Sequence, residues 1–348
     1  MEPIATWGGL TGVSRLVYKT TGPDHTPVLA TALVRLPPGT PPDDGWPVVA
    51  WTHGTSGMNS ACGLTMSAEL EAGTAPIVAR LNRAGYAVIA PDYLGLGPHS
   101  DIIHPYLHTS TEASATIDAV RAAHQAVSGL SLRWAVAGQS QGGHAALATG
   151  QRASHDAAAL DFRGTAALAP ASNVEHMFSL ARPSTREMPY FPVGSMLAVL
   201  AGMIAVPQPI DVRSFLSPEG NRLVDEIATR CSLAWPEIVR GVSAGQVLQK
   251  SLRDNEFRRA IADYAAVPTS GYDAPILIVH GWKDSRVPLP LTLWLLAGLR
   301  RSRTPYEFHV VNTGHDDSRG APALRYALAF LAEVLAPRRR PTAREFER

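Results

Sequence analysis

Residues 133–149 read Arg133-Trp134-Ala135-Val136-Ala137-Gly138-Gln139-Ser140-Gln141-Gly142-Gly143-His144-Ala145-Ala146-Leu147-Ala148-Thr149. The apolar run 133–137 has the length of a buried strand, and the run 144–149 is helix-forming. Only Gly138-Gln139-Ser140-Gln141-Gly142-Gly143 separates them, so the chain must turn from strand to helix within a few residues around a serine. Such an elbow holds the serine in strained backbone geometry and needs small residues beside it, which the glycines supply. A buried strand running straight into a helix is the unit of a mostly parallel α/β sheet.

Context gives the pattern its value, because Gly241-Val242-Ser243-Ala244-Gly245 matches the same G-x-S-x-G spacing. The residues before Ser243 include Pro236, Glu237 and Arg240, and they read as the start of a helix rather than a central strand. Ser140 is therefore the expected nucleophile and Ser243 the decoy.

Working outward, strand-length apolar runs occur at 16–20, 28–36, 47–52, 86–91, 133–137, 164–168, 276–280 and 306–311. They predict eight strands, the later ones alternating with helices such as 76–83 and 112–127. Thr109 with Glu112 three residues on has the spacing of a capping box for the latter. After residue 168 about a hundred residues pass without a convincing strand. They contain Pro183, Pro189, Pro192, Pro207 and Pro209, together with Ser217 before Pro218 at a helix-start spacing. The expected division is a core of 1–169 and 274–336, a helical cap or lid over 170–273, and a solvated tail over 337–348 with Arg338, Arg339 and Arg340.

Composition sets the outer bounds. The 348 residues are 45% hydrophobic and 18% charged, below the globular mean of about a quarter charged, which fits a well-buried globule. A net charge of +1 offers no footprint for a phosphate backbone, so nucleic acid is not an expected partner. The longest apolar run, 196–206, is broken by Gly202 and stopped by Pro207, short of the roughly 20 residues of a spanning helix. Residues 1–10 have neither the basic nor the apolar region of an export signal. Cys62 and Cys231 are too few for a zinc framework. They leave either one bridge or two buried thiols.

A serine hydroxyl needs an imidazole to take its proton, and the imidazole needs a carboxylate to fix its tautomer. Asp284 follows the strand 276–280, and His315 follows 306–311, in Asn312-Thr313-Gly314-His315-Asp316-Asp317. The order Ser140, Asp284, His315 is that of an α/β-hydrolase triad. Asp316 and Asp317 lie too close to His315 in sequence to orient it. An oxyanion hole should take one backbone N–H from Gln141 and another from Trp51-Thr52-His53-Gly54-Thr55-Ser56-Gly57, with Thr55 preferred and Ser56 second. His53, Gly54, Ser56, Gln139 and Tyr93 are expected to contact substrate. His104 and His108 lack a third ligand at metal spacing and read as loop residues near the pocket rim, and His280 reads as structural.

The chain resembles the α/β-hydrolases and, within them, secretory lipases of the lipase A type. The likeness runs from Val17-Tyr18-Lys19-Thr20-Thr21 through Tyr86-Ala87-Val88-Ile89-Ala90-Pro91-Asp92-Tyr93 and the elbow to Asp284 and His315, and the segment from Ser214 to Cys231 is similar to that family's lid. This implies an α/β-hydrolase fold with a helical cap. It also implies a disulfide between Cys62 and Cys231, which fall where that family ties the loop after the oxyanion strand to the cap, and hence an exported protein. The sequence departs from the fungal lipase at His53-Gly54-Thr55-Ser56, which stands where that lipase has an acidic residue.

These readings converge on a serine carboxylic-ester hydrolase, esterase or lipase, that needs no metal or organic cofactor and takes a small-molecule or lipid ester. An acyltransferase on the same triad and a non-catalytic binding module are the alternatives. Met196, Leu197, Val199, Leu200, Met203 and Ile204 could line an acyl pocket, touch a lipid interface, or be plain core.

Overall fold

The computed structural model describes residues 1–70, 73–188 and 191–337. Pro189 and the arginine-rich tail from Arg338 onward lie outside them.

One nine-stranded sheet organises the chain, with strands β1 (Glu2–Ile4), β2 (Val13–Thr21), β3 (Pro27–Arg35), β4 (Trp46–Thr52), β5 (Ala87–Pro91), β6 (Leu130–Gln139), β7 (Asp161–Leu168), β8 (Ile276–Gly281) and β9 (Glu307–Val311). Their spatial order is β1-β2-β3-β5-β4-β6-β7-β8-β9. The β1–β2, β2–β3 and β3–β5 pairs are antiparallel, and every pair from β4–β5 to β8–β9 is parallel. The sheet thus has one strand more than the eight expected. β1 has only three residues, too few to show a period, and exists because it pairs with β2 at the sheet edge.

The helices are α1 (Thr74–Arg83), α2 (Thr109–Ala126), α3 (Gln141–Asp156), α4 (Val174–Phe178), α5 (Val193–Ile204), α6 (Pro218–Ala228), α7 (Trp235–Ile238), α8 (Asn255–Ala265), α9 (Leu289–Arg301) and α10 (Ala321–Val334). Strand side chains alternate between faces. Val49, Trp51, Val88 and Ala135 therefore pack with Ile77 of α1 and Phe330 of α10, while Val48, Ala50, Ile89 and Trp134 pack with Ile117 of α2 and Ala146 of α3.

Among the described residues, 169–275 add no strand to this sheet. Helices α4 to α8 instead build a separate apolar core that reaches the main body through Met58, Tyr106, Leu107, Val287 and Leu291. Helix α5 is its axis. Met196, Leu197, Val199, Leu200 and Met203 are fully buried and pack in this core, with Ile204 partly buried at its edge. Gly202 admits a neighbour: a Cβ there would lie 2.4 Å from the Tyr264 hydroxyl, which donates to Tyr106 O. Ser217 caps α6, its hydroxyl accepting from Gly220 N, as the Ser-Pro pair predicts.

The capping box at α2 does not form. His108 occupies the cap position with no side-chain cap bond, and Thr109 is already helical. Glu112 turns inward and is completely buried, because partners on α3 outcompete the helix end for its carboxylate. Among the described residues no helix is long and apolar enough to cross a membrane.

Candidate active site

The elbow forms at the carboxyl end of central strand β6. Ser140 sits at φ 59°, ψ −119°, directly before α3, a conformation disfavoured for a residue with a side chain. Backbone bonds hold it there: Ser140 N donates to Leu168 O, and Ser140 O accepts from His144 N and Ala171 N. The flanking glycines are obligatory. A Cβ on Gly138 would lie 2.0 Å from Thr52 Oγ1, and one on Gly142 1.9 Å from Thr52 O.

The loops after β8 and β9 bring the other two predicted residues to the serine. Ser140 Oγ lies 2.8 Å from His315 Nε2, and His315 Nδ1 lies 2.7 Å from Asp284 Oδ2. Asp284 Oδ1 accepts from the backbone N–H groups of Arg286 and Val287. Burial pushes the Asp284 pKa up, but hydrogen bonds from His280 and His315, the charge of His315 and the Val287 N–H outweigh it and hold the carboxyl far below the usual range. The carboxylate therefore stays ionised and fixes the proton of His315 on Nδ1, so Nε2 is free to accept the serine proton. Asp316 instead pairs with Arg286 at the surface.

His280 is fully buried and bonded to Val287 O and the Thr292 hydroxyl, and its Nε2 also lies 3.4 Å from Asp284 Oδ2. Ser243 lies in a turn whose hydrogen bonds join it to Gln246, with no strand before it.

The loop after β4 is stitched to the segment that follows α6. Ser232 N donates to Ser56 O, Ser232 Oγ to Thr55 O and Met58 N to Arg230 O, and Gly57 bridges Cys231. Cys62 and Cys231 are bonded, with Cα atoms 5.3 Å apart. Within 52–58 only Thr55 is not buried. Its hydroxyl lies 2.8 Å from the Tyr106 hydroxyl.

His53, Gly54, Ser56, Gln139 and Tyr93 are all buried in this arrangement. Tyr93 OH donates to His53 O, with the two rings 4.6 Å apart, which props the loop from beneath. Gln139 Nε2 donates to His315 O and steadies the triad loop. Asp92, fully buried, accepts from the Thr31 hydroxyl and from both the hydroxyl and N–H of Thr65.

One cluster escaped the sequence reading. Gln141 Nε2 donates to Glu112 Oε1 at 2.9 Å and to His104 Nε2 at 2.8 Å, and Glu112 Oε2 lies 2.6 Å from His144 Nδ1. His104 is not a rim residue but fully buried, its Nδ1 donating to Leu94 O. The available signal was the presence of Glu112 and His144 on the inner faces of alanine-rich helices, where a charged group must find a partner. Among the described residues no group of three or more His, Cys, Asp or Glu could hold a metal ion.

Against known proteins, residues 62–209, which contain the elbow, match the Secretory lipase family model. Residues 244–338, which carry Asp284 and His315, match that of the Prolyl oligopeptidase family. No curated protein matches the chain. Among solved structures, the rice cell wall degrading esterase LipA of Xanthomonas oryzae is similar at a TM-score of 0.72 and 23% identity, over 93% of this chain and 89% of that one. Candida antarctica lipase A in its closed state is similar at a TM-score of 0.73 and 18% identity, over 93% and 79%. Elbow, sheet order and these matches agree on an α/β-hydrolase fold, with residues 62–209 similar to the secretory lipases.

Proposed function

We propose that the protein is a serine carboxylic-ester hydrolase working through an acyl-enzyme on Ser140. The observation that carries this is the continuous relay from Asp284 Oδ2 through His315 to Ser140 Oγ, with a serine strained at an elbow.

Ser140 Oγ attacks the ester carbonyl as His315 Nε2 takes its proton, and the N–H groups of Gln141 and Thr55 receive the negative charge on the carbonyl oxygen. His315 then protonates the leaving alcohol. A water, deprotonated by His315, releases the acid and restores Ser140. Nothing in the sequence of steps calls on a metal or organic cofactor.

The disulfide and the secretory lipase match support an exported protein, and the cap over 170–273 supports a covered acyl site. The test is hydrolysis of p-nitrophenyl esters of graded chain length beside a peptidyl p-nitroanilide. Ester turnover that Ser140→Ala lowers on the order of 10⁶-fold, and Ser243→Ala leaves intact, is expected. Retained turnover in Ser140→Ala, or preference for the anilide, overturns the reading.

A further inference from the structure

Gln141 follows the nucleophile, so its backbone N–H is the donor that the proposed reaction relies on most directly. Its side chain does not face the elbow. It is completely buried and clamped between two acceptors, Glu112 Oε1 at 2.9 Å and His104 Nε2 at 2.8 Å. His104 can accept there because its Nδ1 proton is spent on Leu94 O, 2.7 Å away. Burial, which pulls the His104 pKa down to about 3, keeps this ring neutral.

The other end of the cluster has the opposite character. His144, one turn into α3, places Nδ1 2.6 Å from Glu112 Oε2 and Nε2 2.9 Å from Ala265 O. A carboxylate and a carbonyl can only accept, so each ring nitrogen must carry a proton. With Glu112 as the carboxylate, the imidazole is a fully buried cation paired to it. Three elements meet in it: α2 supplies Glu112, α3 supplies His144, and Ala265 ends α8 of the cap. The other titratable groups that act on this cluster are Glu175 of α4, His108 before α2, His53 after β4, and the Tyr106 and Tyr264 hydroxyls.

We propose that Glu112, His144 and His104 are positioning residues. Together they lock the side chain of Gln141, and with it the oxyanion donor, to the cap helix α8. Resting on the ester-hydrolase reading, this assigns to a buried ion pair the task of holding a backbone N–H where the oxyanion develops. Misplacing such a donor costs transition-state stabilisation and leaves ground-state binding alone.

The experiment measures kcat and KM on p-nitrophenyl butyrate for Gln141→Met, Glu112→Ala and Glu112→Gln beside Ser140→Ala, together with ¹⁵N-histidine NMR of the wild type and of Glu112→Gln. Gln141→Met and Glu112→Ala should lower kcat about tenfold or more with KM within about twofold, since one donor removed outright costs on the order of 10²–10³. Glu112→Gln should recover most of the loss, because its Oε1 still accepts from Gln141. In the NMR spectra His144 should show two ring N–H protons at mildly alkaline pH in the wild type, and only that on Nε2 in Glu112→Gln.

Unchanged kcat in Gln141→Met, a change confined to KM, or no recovery in Glu112→Gln overturns the proposal. So does a single ring proton on His144 in the wild type, which can be read even if Glu112→Ala does not fold. Full turnover in Ser140→Ala would instead overturn the ester-hydrolase reading, and the His144 spectrum would still stand.

Discussion

Two buried carboxylate–imidazole pairs lie near Ser140, and the group beyond each imidazole differs. In both, Nδ1 faces a carboxylate: His315 meets Asp284 at 2.7 Å and His144 meets Glu112 at 2.6 Å. The far nitrogen separates them. His315 Nε2 faces the Ser140 hydroxyl, which can donate, so the ring can be neutral and receive a proton. His144 Nε2 faces Ala265 O, which cannot donate, so that nitrogen keeps its proton and the ring cannot act as a base there. Burial alone would pull the His144 pKa down, but the charge and hydrogen bond of Glu112 outweigh it and raise it overall. A carboxylate and an imidazole thus leave one ring nitrogen able to take a proton in one place and tie up both in the other, and the group beyond the imidazole decides which.

The comparison breaks first at Asp284. Asp284→Asn should lower kcat by about 10⁴, because an amide facing Nδ1 favours the tautomer with its proton on Nε2. Equal sensitivity at Asp92 or Asp316 would relocate the acid. At the second pair the expected loss is in stability. His144→Leu strands the Glu112 charge in the interior and should cost roughly 3–5 kcal/mol by chemical denaturation, whereas Glu112→Gln, which leaves a neutral hydrogen-bonded pair, should cost far less. Equal costs would mean that charge is not what the pair holds.

The helical segment after β7 has a covalent tie at Cys62–Cys231, closing 169 residues. Removing it with Cys62→Ser should lower the melting temperature. The chain-entropy model sets an upper scale of about 4–5 kcal/mol, and measured effects are often smaller. A titration finding two free thiols in unreduced, denatured protein would remove this tie from the account.

The smallest effect is on acid stability. Burial pulls the pKa of His104 down to about 3 and that of His108 to about 4, so both are neutral in the fold while the unfolded chain binds a proton on each below about 6.5. Their contribution is complete above that value and is lost as pH falls, at about 1.4 kcal/mol per pH unit for each. His144, with a raised pKa, has the opposite sign: its contribution is present in acid and lost as pH rises through its folded value. From about pH 7 to about pH 5 the urea midpoint should therefore fall, and His104→Gln should flatten that fall by about one proton. An unchanged slope would show that His104 is not held neutral.

What the sequence determined on its own was local. The run from Arg133 to Gly143 fixes strand, elbow and helix because the steric demand of the turn is met or failed within six residues. The same logic separates Ser140 from Ser243. Chain order pointed to Asp284 and His315, since a parallel sheet brings the ends of its strands to one edge. Tertiary structure decided whatever depended on a partner distant in sequence. β1 is a strand because β2 lies beside it. The stripe on α5 is core because α6, α7 and the turn at Val212–Phe215 pack against it. Glu112 had every local reason to cap α2, and faces inward because His144 and Gln141, about thirty residues on, offer its charge a better partner than a helix end in water. A side chain's local preference is worth about 1 kcal/mol at a helix cap, whereas leaving a buried charge unpaired costs several, so the distant contact wins.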